Sequence, residues 1–317
     1  MLTGPDDPQR AAGGELDEDM DEISAAYGEL IDRFVGWAKD EDDIRAAIVI
    51  GSRARRLDHP ADEWSDLDVL IFTSDPESYW GSSDWLQHVG DAWLTFVEPA
   101  PDGSGFERRV LFEGGLDVDF APCAVTDLEA MVEQGVSPDV ADMIHRGVCF
   151  LVDKDGFSER LRRIEVDSPA YSPPSESEFL NLVNDFWYHT VWTGKHMRRG
   201  ELWWAKSCCD GYLKNLLRRL MEWHTRASKG EDVDTWMRGR FLEEWADPRA
   251  VESLPVVFAH YDEEDIWRAL MATMELFRWL AIETADRLGY SYPTLGEARA
   301  AALVQELFAG RERRLAE

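Results

Sequence analysis

The spacing of hydrophobic residues changes near the middle of the chain, and this change predicts two regions of different architecture. In the first half, short apolar runs typical of β-strands alternate with polar stretches. The predicted strands are Ile44–Gly51, Asp66–Phe72, Trp93–Val97, Phe106–Phe112, Leu116–Phe120 and Val148–Val152. The Glu113-Gly114-Gly115 step between two of them is a hairpin signal. Predicted helices are an amphipathic one over Asp21–Ala38 and short ones over Thr126–Gln134 and Pro138–His145.

The second half has helical spacing throughout, after a segment rich in proline and serine from Asp167 to Pro174. Long helices are predicted over Ser177–Met197, Leu202–Ala227, Asp262–Leu288 and Thr294–Ala309. The fold class is therefore predicted to be α+β. We expect a disordered acidic tail over residues 1–20, a mixed sheet flanked by helices over 21–170, and a helical bundle over 171–317.

The charge balance narrows the classes of partner. The chain has 63 acidic and 33 basic residues, so its net charge is −30. Residues 1–22 hold eight acids and one base, which leaves −23 for the remainder. Such a chain repels a polyphosphate backbone, so nucleic-acid binding is disfavoured, and it attracts polycationic small molecules. A charge that serves solubility alone is the other interpretation of this composition.

Membrane insertion and secretion are also disfavoured. No apolar run approaches the ~20 residues that span a bilayer, and the N-terminus lacks the basic start and apolar core of a secretory signal. The four cysteines have neither metal-site nor disulfide-framework spacing. They are Cys123, Cys149, Cys208 and Cys209. We expect reduced thiols in a cytoplasmic protein.

Alternating carboxylates on the predicted strands are the main candidates for chemistry. Asp66 and Asp68 are two residues apart and share one face of a strand. Side by side they repel each other, and Mg²⁺, which prefers carboxylate oxygens, would relieve this repulsion. A third acid comes from the strand after the hairpin, where Asp117 and Asp119 alternate. The Gly51-Ser52 step offers backbone N–H groups and a hydroxyl to a phosphate.

Each of these signals is common by chance, but their order resembles the DNA polymerase β-type nucleotidyltransferase fold. Further motifs stand in the second half. They are Asn184-Asp185-Phe186-Trp187, Arg199 to Trp203, Ala205-Lys206, Asp210 to Lys214, Met221 to His224, and Leu288 to Pro293. Together they resemble the bacterial aminoglycoside 6-adenylyltransferase (streptomycin adenylyltransferase) family, from about Asp21 to Pro293.

The resemblance implies a set of roles in the first domain, which would be the nucleotidyltransferase domain. Asp66 and Asp68 would hold Mg²⁺ that bridges the ATP phosphates. Asp119, which an ungapped match favours over Asp117, would be the third metal ligand or the base that deprotonates the acceptor hydroxyl. The β- and γ-phosphates would lie against Gly51, Ser52 and Arg53. The hydroxyl would attack the α-phosphorus, with pyrophosphate as the leaving group.

The helical domain adds candidates for ATP and substrate binding. Lys206, Asp210 and Lys214 share one helix face by spacing. Lys206 would reach the triphosphate and Asp210 a substrate cation, unless the three form a surface salt-bridge ladder. Trp187 would stack on the acceptor ring, although a tryptophan in a helical stripe is also typical of a core. The remaining substrate-binding candidates are Glu201 and Asp117.

The expected function is Mg²⁺-dependent transfer of AMP from ATP to an aminoglycoside hydroxyl, with 6-O-adenylylation of streptomycin and antibiotic resistance as the specific expectation. We expect a cytoplasmic monomer that binds neither nucleic acid nor membranes. Two alternatives stay open. One is a nucleotidyltransferase of the same fold that modifies another small molecule or a protein hydroxyl. The other is a homologue that has lost catalysis and only binds.

Overall fold

The structure is a computed structural model that describes residues 8–55, 59–100, 103, 105–164 and 171–310. These residues form two compact units, divided between residues 170 and 171. The first unit contains all the strands of the described chain, and the second consists of helices and connecting turns. The predicted α+β class is confirmed by this architecture.

A six-stranded mixed sheet forms the centre of the first unit. Its strands are β1 (Ile44–Ile50), β2 (Leu67–Thr73), β3 (Ala92–Pro99), β4 (Phe106–Phe112), β5 (Leu116–Ala124) and β6 (Cys149–Asp153). The spatial order is β3-β4-β5-β2-β1-β6. Only the β2–β5 pair is parallel among these described strands, and this pair brings the starts of both strands to the same edge of the sheet.

Five helices cover this sheet unevenly. They are α1 (Pro8–Asp40), α2 (Pro76–Gly81), α3 (Val125–Gln134), α4 (Pro138–Arg146) and α5 (Phe157–Arg162), with 3₁₀ turns at Ser52–Ala54 and Asp84–His88. One sheet face packs on α1, where Leu30 and Phe34 join a buried cluster with Phe120. On the other face, α3 and α5 cover the β2 and β1 side through Leu128 and Phe157.

The first helix is longer than the sequence pattern predicts. The predicted range is Asp21–Ala38, and the helix runs over Pro8–Asp40. It therefore extends into the segment 1–20, for which a disordered tail is predicted, while residues 1–7 of that segment lie outside the described residues. The physical reason is that alanine, leucine and glutamate are strong helix formers, so an acidic composition alone does not exclude a helix.

The second unit is a bundle with its own core. Its helices are α6 (Glu176–Arg199), α7 (Leu202–Ser207), α8 (Leu213–Lys229), α9 (Leu242–Trp245), α10 (Pro248–Val257), α11 (Glu263–Leu288) and α12 (Thr294–Ala309), with a 3₁₀ turn at Met237–Gly239. A capping box between Ser175 and Glu178 begins α6. Phe186 and Phe277 stack in the core.

The single helix predicted over Leu202–Ala227 is interrupted by a π-helical turn at Cys208–Tyr212. Such a turn inserts a residue into the helical repeat and rotates the next turns of the helix, so spacing arguments across it fail. None of the helices within the described part of the chain combines the length and the hydropathy that a bilayer crossing requires.

Candidate active site

Three carboxylates meet on one face of the sheet. Asp68 lies on β2 and Asp119 on β5, directly opposite each other in the parallel register. Asp66 immediately precedes β2, and one oxygen from each of the three lies within 4.8 Å of the others. The structure thus brings together Asp66, Asp68 and Asp119, called the acidic triad below. Asp117, the other candidate for the third acid, is exposed and lies outside this group.

Burial and repulsion raise the pKa of two members of the acidic triad, Asp68 and Asp119. Burial, together with the charges of Asp66 and Asp119, raises the pKa of Asp68 to about 7. Burial also raises the pKa of Asp119, to about 6, although Arg109 opposes this shift. Three hard oxygen donors in repulsive contact are the ligand set that Mg²⁺ prefers, so these residues fit the ion that the family resemblance implies.

Gly51 makes room for the triad. Its φ of +71° disfavours any side chain, and a Cβ at this position would lie 2.2 Å from Asp68 Oδ2. The next residue, Ser52, is buried, and its Oγ has no hydrogen-bond partner within the described structure. A buried unpaired hydroxyl is costly unless a ligand satisfies it. The predicted Gly51-Ser52 cradle therefore fits a phosphate oxygen.

Arg53 supports the backbone that leads into β2. Its Nε donates to the Asp66 carbonyl at 3.1 Å, and its Nη2 donates to the Ser65 carbonyl at 2.6 Å. The guanidinium carbon lies 3.5 Å from the centroid of the Tyr27 ring. These contacts occupy the side chain that the resemblance assigns to the phosphates, so Arg53 acts here by holding Asp66.

Arg109 is a site residue that the sequence analysis missed. It lies on β4 opposite Asp119 in the antiparallel register. Its guanidinium forms salt bridges with Asp119 and Glu98, and its Nη2 lies 3.4 Å from Glu107 Oε2. Arg109 therefore supplies positive charge at the edge of an otherwise acidic cluster and fixes the Asp119 carboxylate.

The signal for Arg109 is present in the sequence but ambiguous. Arg108 and Arg109 are adjacent on β4, so one of them must face the triad side of the sheet. Arg108 is buried on the opposite face, where it donates to the Tyr79 carbonyl at 2.9 Å and to Thr95 Oγ1 at 3.1 Å. Strand alternation places the two arginines on opposite faces, but only the β4–β5 register identifies Asp119 as the partner of Arg109.

A groove of about 310 Å³ opens over the triad. One wall is acidic and contains Asp117 together with the triad members Asp66 and Asp119. The other wall is apolar, with Leu94 and Phe96 on the edge strand β3 exposed to 66% and 55%. The groove is therefore suited to a ligand with both cationic and apolar surfaces.

A second cavity, of about 460 Å³, lies elsewhere in the first unit. Asp43, Tyr79 and Trp85 are among its lining residues, and no member of the triad is. It is therefore separate from the groove that Asp66, Asp117 and Asp119 line.

The candidates on the helical unit have internal partners. Lys206 forms a salt bridge with Asp210 and donates to the Ala259 carbonyl at 2.7 Å. Asp210 accepts from the Ala259 backbone N–H at 3.2 Å. Lys214 is buried and donates to Thr273 Oγ1 at 2.8 Å. These contacts tie the π-helical turn to the segment between α10 and α11. They form an internal network, which differs from the surface salt-bridge ladder weighed as the alternative for these residues. The contacts of Lys206 with ATP and of Asp210 with substrate stay predictions.

Trp187 and Glu201 also differ from the expectation. Trp187 is only 3% exposed, and its Nε1 donates to the Tyr292 hydroxyl at 3.1 Å. Its ring packs inside the helical core, so the expected stacking on an acceptor ring is excluded by burial. Glu201 immediately precedes α7 and pairs with His196 and with Arg199, whose Nη2 lies 2.7 Å from Glu201 Oε1. Its charge is therefore largely compensated.

Comparison with known proteins confirms the resemblance drawn from the motifs. The family model described as streptomycin adenylyltransferase matches residues 26–307. An aminoglycoside 6-adenylyltransferase of Bacillus subtilis (strain 168) is 24% identical over 277 residues, which is 85% of this chain and 93% of the relative. The Campylobacter jejuni and Staphylococcus aureus proteins of the same name are 23% and 22% identical. They cover 85% and 84% of this chain, and 91% and 93% of their own lengths are matched.

A solved structure of the aminoglycoside 6-adenyltransferase from Bacillus subtilis gives a TM-score of 0.42 at 20% identity. The match covers 88% of this chain and 97% of that one.

Proposed function

Because this chain belongs to the streptomycin adenylyltransferase family and is an adenylyltransferase, we propose that it transfers AMP from ATP to a hydroxyl of an aminoglycoside. The observation that carries the proposal is the acidic triad beside the Gly51-Ser52 cradle. The specific acceptor proposed is streptomycin, modified at its 6-hydroxyl. The names of the three curated relatives support an aminoglycoside acceptor.

Mg²⁺ is the proposed cofactor, with Asp66 and Asp68 as its ligands and Asp119 beside them. When bound, it would neutralise charge between these carboxylates and the phosphates of ATP and lower the barrier to displacement at phosphorus. The buried Ser52 Oγ and the backbone at Gly51 would hold phosphate oxygens. Arg53 would act indirectly, because it fixes the segment that presents Asp66.

Asp119 is the proposed proton acceptor. A pKa of about 6 leaves most of its carboxylate ionised at neutral pH while keeping it more basic than an ordinary aspartate. The acceptor oxygen attacks the α-phosphorus as its proton passes to Asp119. The bond between the α-phosphorus and the bridging oxygen breaks, and pyrophosphate leaves with the electron pair. Arg109 would hold the Asp119 carboxylate in place during this step.

The acceptor proposed for the groove is cationic. Asp117 is exposed at the acidic wall, and the whole chain carries a net charge of −30. Both features concentrate a ligand with several ammonium or guanidinium groups. AMP attached to such an antibiotic adds bulk and negative charge, so the proposed consequence is resistance. The reaction would take place in the cytoplasm, where ATP is available, and the four free cysteines agree with that compartment.

The proposal is tested by incubating the protein with ATP, Mg²⁺ and a panel of aminoglycosides and measuring by mass spectrometry which compound gains AMP. Streptomycin is expected to gain one AMP. Myo-inositol, a neutral cyclitol with hydroxyls but no cationic group, is the matched control and should gain none. Modification of a different small molecule or of a protein hydroxyl would favour the alternative acceptor. AMP transfer to no acceptor would favour the non-catalytic alternative.

A further inference from the structure

Tyr27 lies on α1, beneath the end of the sheet where β2 and β5 begin. Its side chain is buried, with 4% exposure, and joins Phe34 and Val118 in the cluster between α1 and the sheet. Strand alternation turns Asp119 to the opposite face, where the groove opens. Tyr27 is not among the residues that line this groove. Any part it takes in the reaction is therefore indirect, through the residues that it contacts.

The Tyr27 hydroxyl ties α1 to the start of β5. It accepts a hydrogen bond from the Asp117 backbone N–H at 3.1 Å and donates one to the Asp117 carbonyl at 3.3 Å. Leu30 and Phe34, on the same stripe of the helix, fill the core without a polar group. Packing alone therefore does not require the hydroxyl, whose two hydrogen bonds fix the backbone just before Asp119.

The Tyr27 ring supports Arg53. The guanidinium carbon lies 3.5 Å from the ring centroid, which is a cation–π contact. The same guanidinium donates to the carbonyls of Ser65 and Asp66 at 2.6 and 3.1 Å. Its flat face therefore rests on Tyr27 while its edge holds the segment before β2, so a displacement of Tyr27 is transmitted to Asp66.

Asp66 needs this support because it lies outside the hydrogen-bonded strands. β2 begins one residue later, and its register with β5 sets Asp68 against Asp119. This ladder does not include Asp66. The contacts through Arg53 and Tyr27 connect Asp66 to the backbone of β5 instead.

We infer that Tyr27 is a positioning residue of the acidic triad, which holds Asp66 beside Asp68 and Asp119 by supporting Arg53. The inference rests on the proposed function, because the cation that these carboxylates would bind is proposed there. Tyr27 is not among the predicted site residues, since its helical spacing is typical of a core position. Loss of its contacts should weaken cation binding more than loss of an equally buried tyrosine elsewhere in the same unit.

Tyr79 provides a matched control. It is 5% exposed, its hydroxyl donates to Asp43 Oδ2 at 2.7 Å, and it lines the cavity that contains no member of the triad. Mn²⁺, which prefers oxygen ligands as Mg²⁺ does, is the probe. Its binding to the full-length protein is measured without nucleotide by electron paramagnetic resonance. Tyr27→Leu is expected to weaken Mn²⁺ binding by about tenfold or more, and Tyr27→Phe, which keeps the ring under Arg53, by about threefold. Tyr79→Leu should stay within about twofold of the wild type.

The outcomes separate this inference from the proposed function, whose AMP-transfer test is independent of both measurements. A loss of Mn²⁺ affinity in Tyr27→Leu no larger than that in Tyr79→Leu would overturn the inference. If the wild type binds no Mn²⁺, the proposed metal site fails, and amide hydrogen exchange decides the positioning role by itself. Faster exchange over residues 62–67 and 116–119 in Tyr27→Leu than in Tyr79→Leu would support that role, and equal exchange would overturn it. Should Tyr27→Leu not fold, Tyr27→Phe carries both measurements, with Tyr79→Phe as its control.

Discussion

At the scale of single residues, the site depends on one missing side chain and three carboxylates. Gly51 lets the backbone approach Asp68 so closely that a methyl group would overlap the carboxylate. Asp68 and Asp119 in turn are costly to keep together without a cation, because burial and repulsion both disfavour their charged forms. The acidic triad without a bound cation therefore lowers the free energy of unfolding of the protein.

Gly51→Ala is expected to abolish AMP transfer, with a loss of at least about 100-fold, and to destabilise the fold by about 1–3 kcal/mol. The Cβ would displace the Asp68 carboxylate, and the φ of +71° adds strain. Gly156→Ala is the matched control, because Gly156 has a φ of +70° but open space for a Cβ. Transfer assays and urea unfolding measure both effects. Equal losses of activity in the two variants would show that backbone strain, not displacement of Asp68, is the cause.

Asp68→Asn is expected to stabilise the protein in EDTA at pH 8 by about 1–3 kcal/mol, while abolishing transfer. The folded-state pKa of about 7 lies above the ordinary value of 3.8, so the folded protein binds more protons than the unfolded chain between these values. The cost of ionised Asp68 is therefore complete above pH 7 and disappears as the pH falls toward 4.

The corresponding measurement is urea unfolding at pH 5 and pH 8. The gain from Asp68→Asn should be clearly smaller at pH 5, where the wild-type carboxyl is mostly protonated in the fold. Asp32→Asn, an exposed change on α1, should have little effect at either pH. A destabilised Asp68→Asn protein at pH 8 would contradict the electrostatic account of the triad.

At the scale of elements, strand register places the charges. The β2–β5 register sets Asp68 against Asp119, and the β4–β5 register sets Arg109 against Asp119. One row across three strands thus reads Arg109, Asp119, Asp68. Asp119 is consequently held by Arg109 on one side and repelled by Asp68 on the other.

Arg109→Met is expected to lower kcat by about 10–100-fold with a smaller change in the KM for ATP, because Asp119 loses the group that orients it. Arg109→Lys should restore part of the rate, since it keeps the charge but not the forked geometry. Arg45→Met is the control, because Arg45 pairs with Asp155 at an exposed site. Steady-state kinetics and melting curves are measured together. A rate for Arg109→Met equal to that for Arg45→Met would remove Arg109 from the site.

The strands could be predicted well from the sequence, whereas the surroundings of the candidate residues on the helices could not. Alternation predicts that Asp66 and Asp68 share one face and that Asp117 and Asp119 share one face. The parallel pairing that sets Asp68 beside Asp119 is not contained in the pattern of either strand. Arg109 depends on register, which a single strand does not encode. On the helical side, Asp210 lies in a π-helical turn that shifts the phase of the repeat. Trp187 faces the core because buried residues occupy a wide arc of α6. Helical spacing alone therefore does not show whether a tryptophan on α6 faces the core or a ligand.

At the scale of the whole molecule, the net negative charge affects the binding of the acceptor and of ATP in opposite ways. The net charge of −30 and the acidic groove favour a cationic acceptor, but they oppose the entry of ATP. ATP with its phosphate charges beside three carboxylates requires neutralisation, which Arg109 alone does not provide. Nucleotide binding and transfer are therefore expected to depend on a divalent cation at the triad.

The most direct test is a mass measurement of streptomycin after incubation with ATP and either wild-type protein or Asp68→Asn, each with Mg²⁺ or with EDTA. One added AMP is expected only for the wild type with Mg²⁺, and an unmodified antibiotic in the other three reactions. Transfer by Asp68→Asn at a rate near that of the wild type, or transfer by the wild type in EDTA, would contradict the assignment of the acidic triad as the metal-dependent catalytic site.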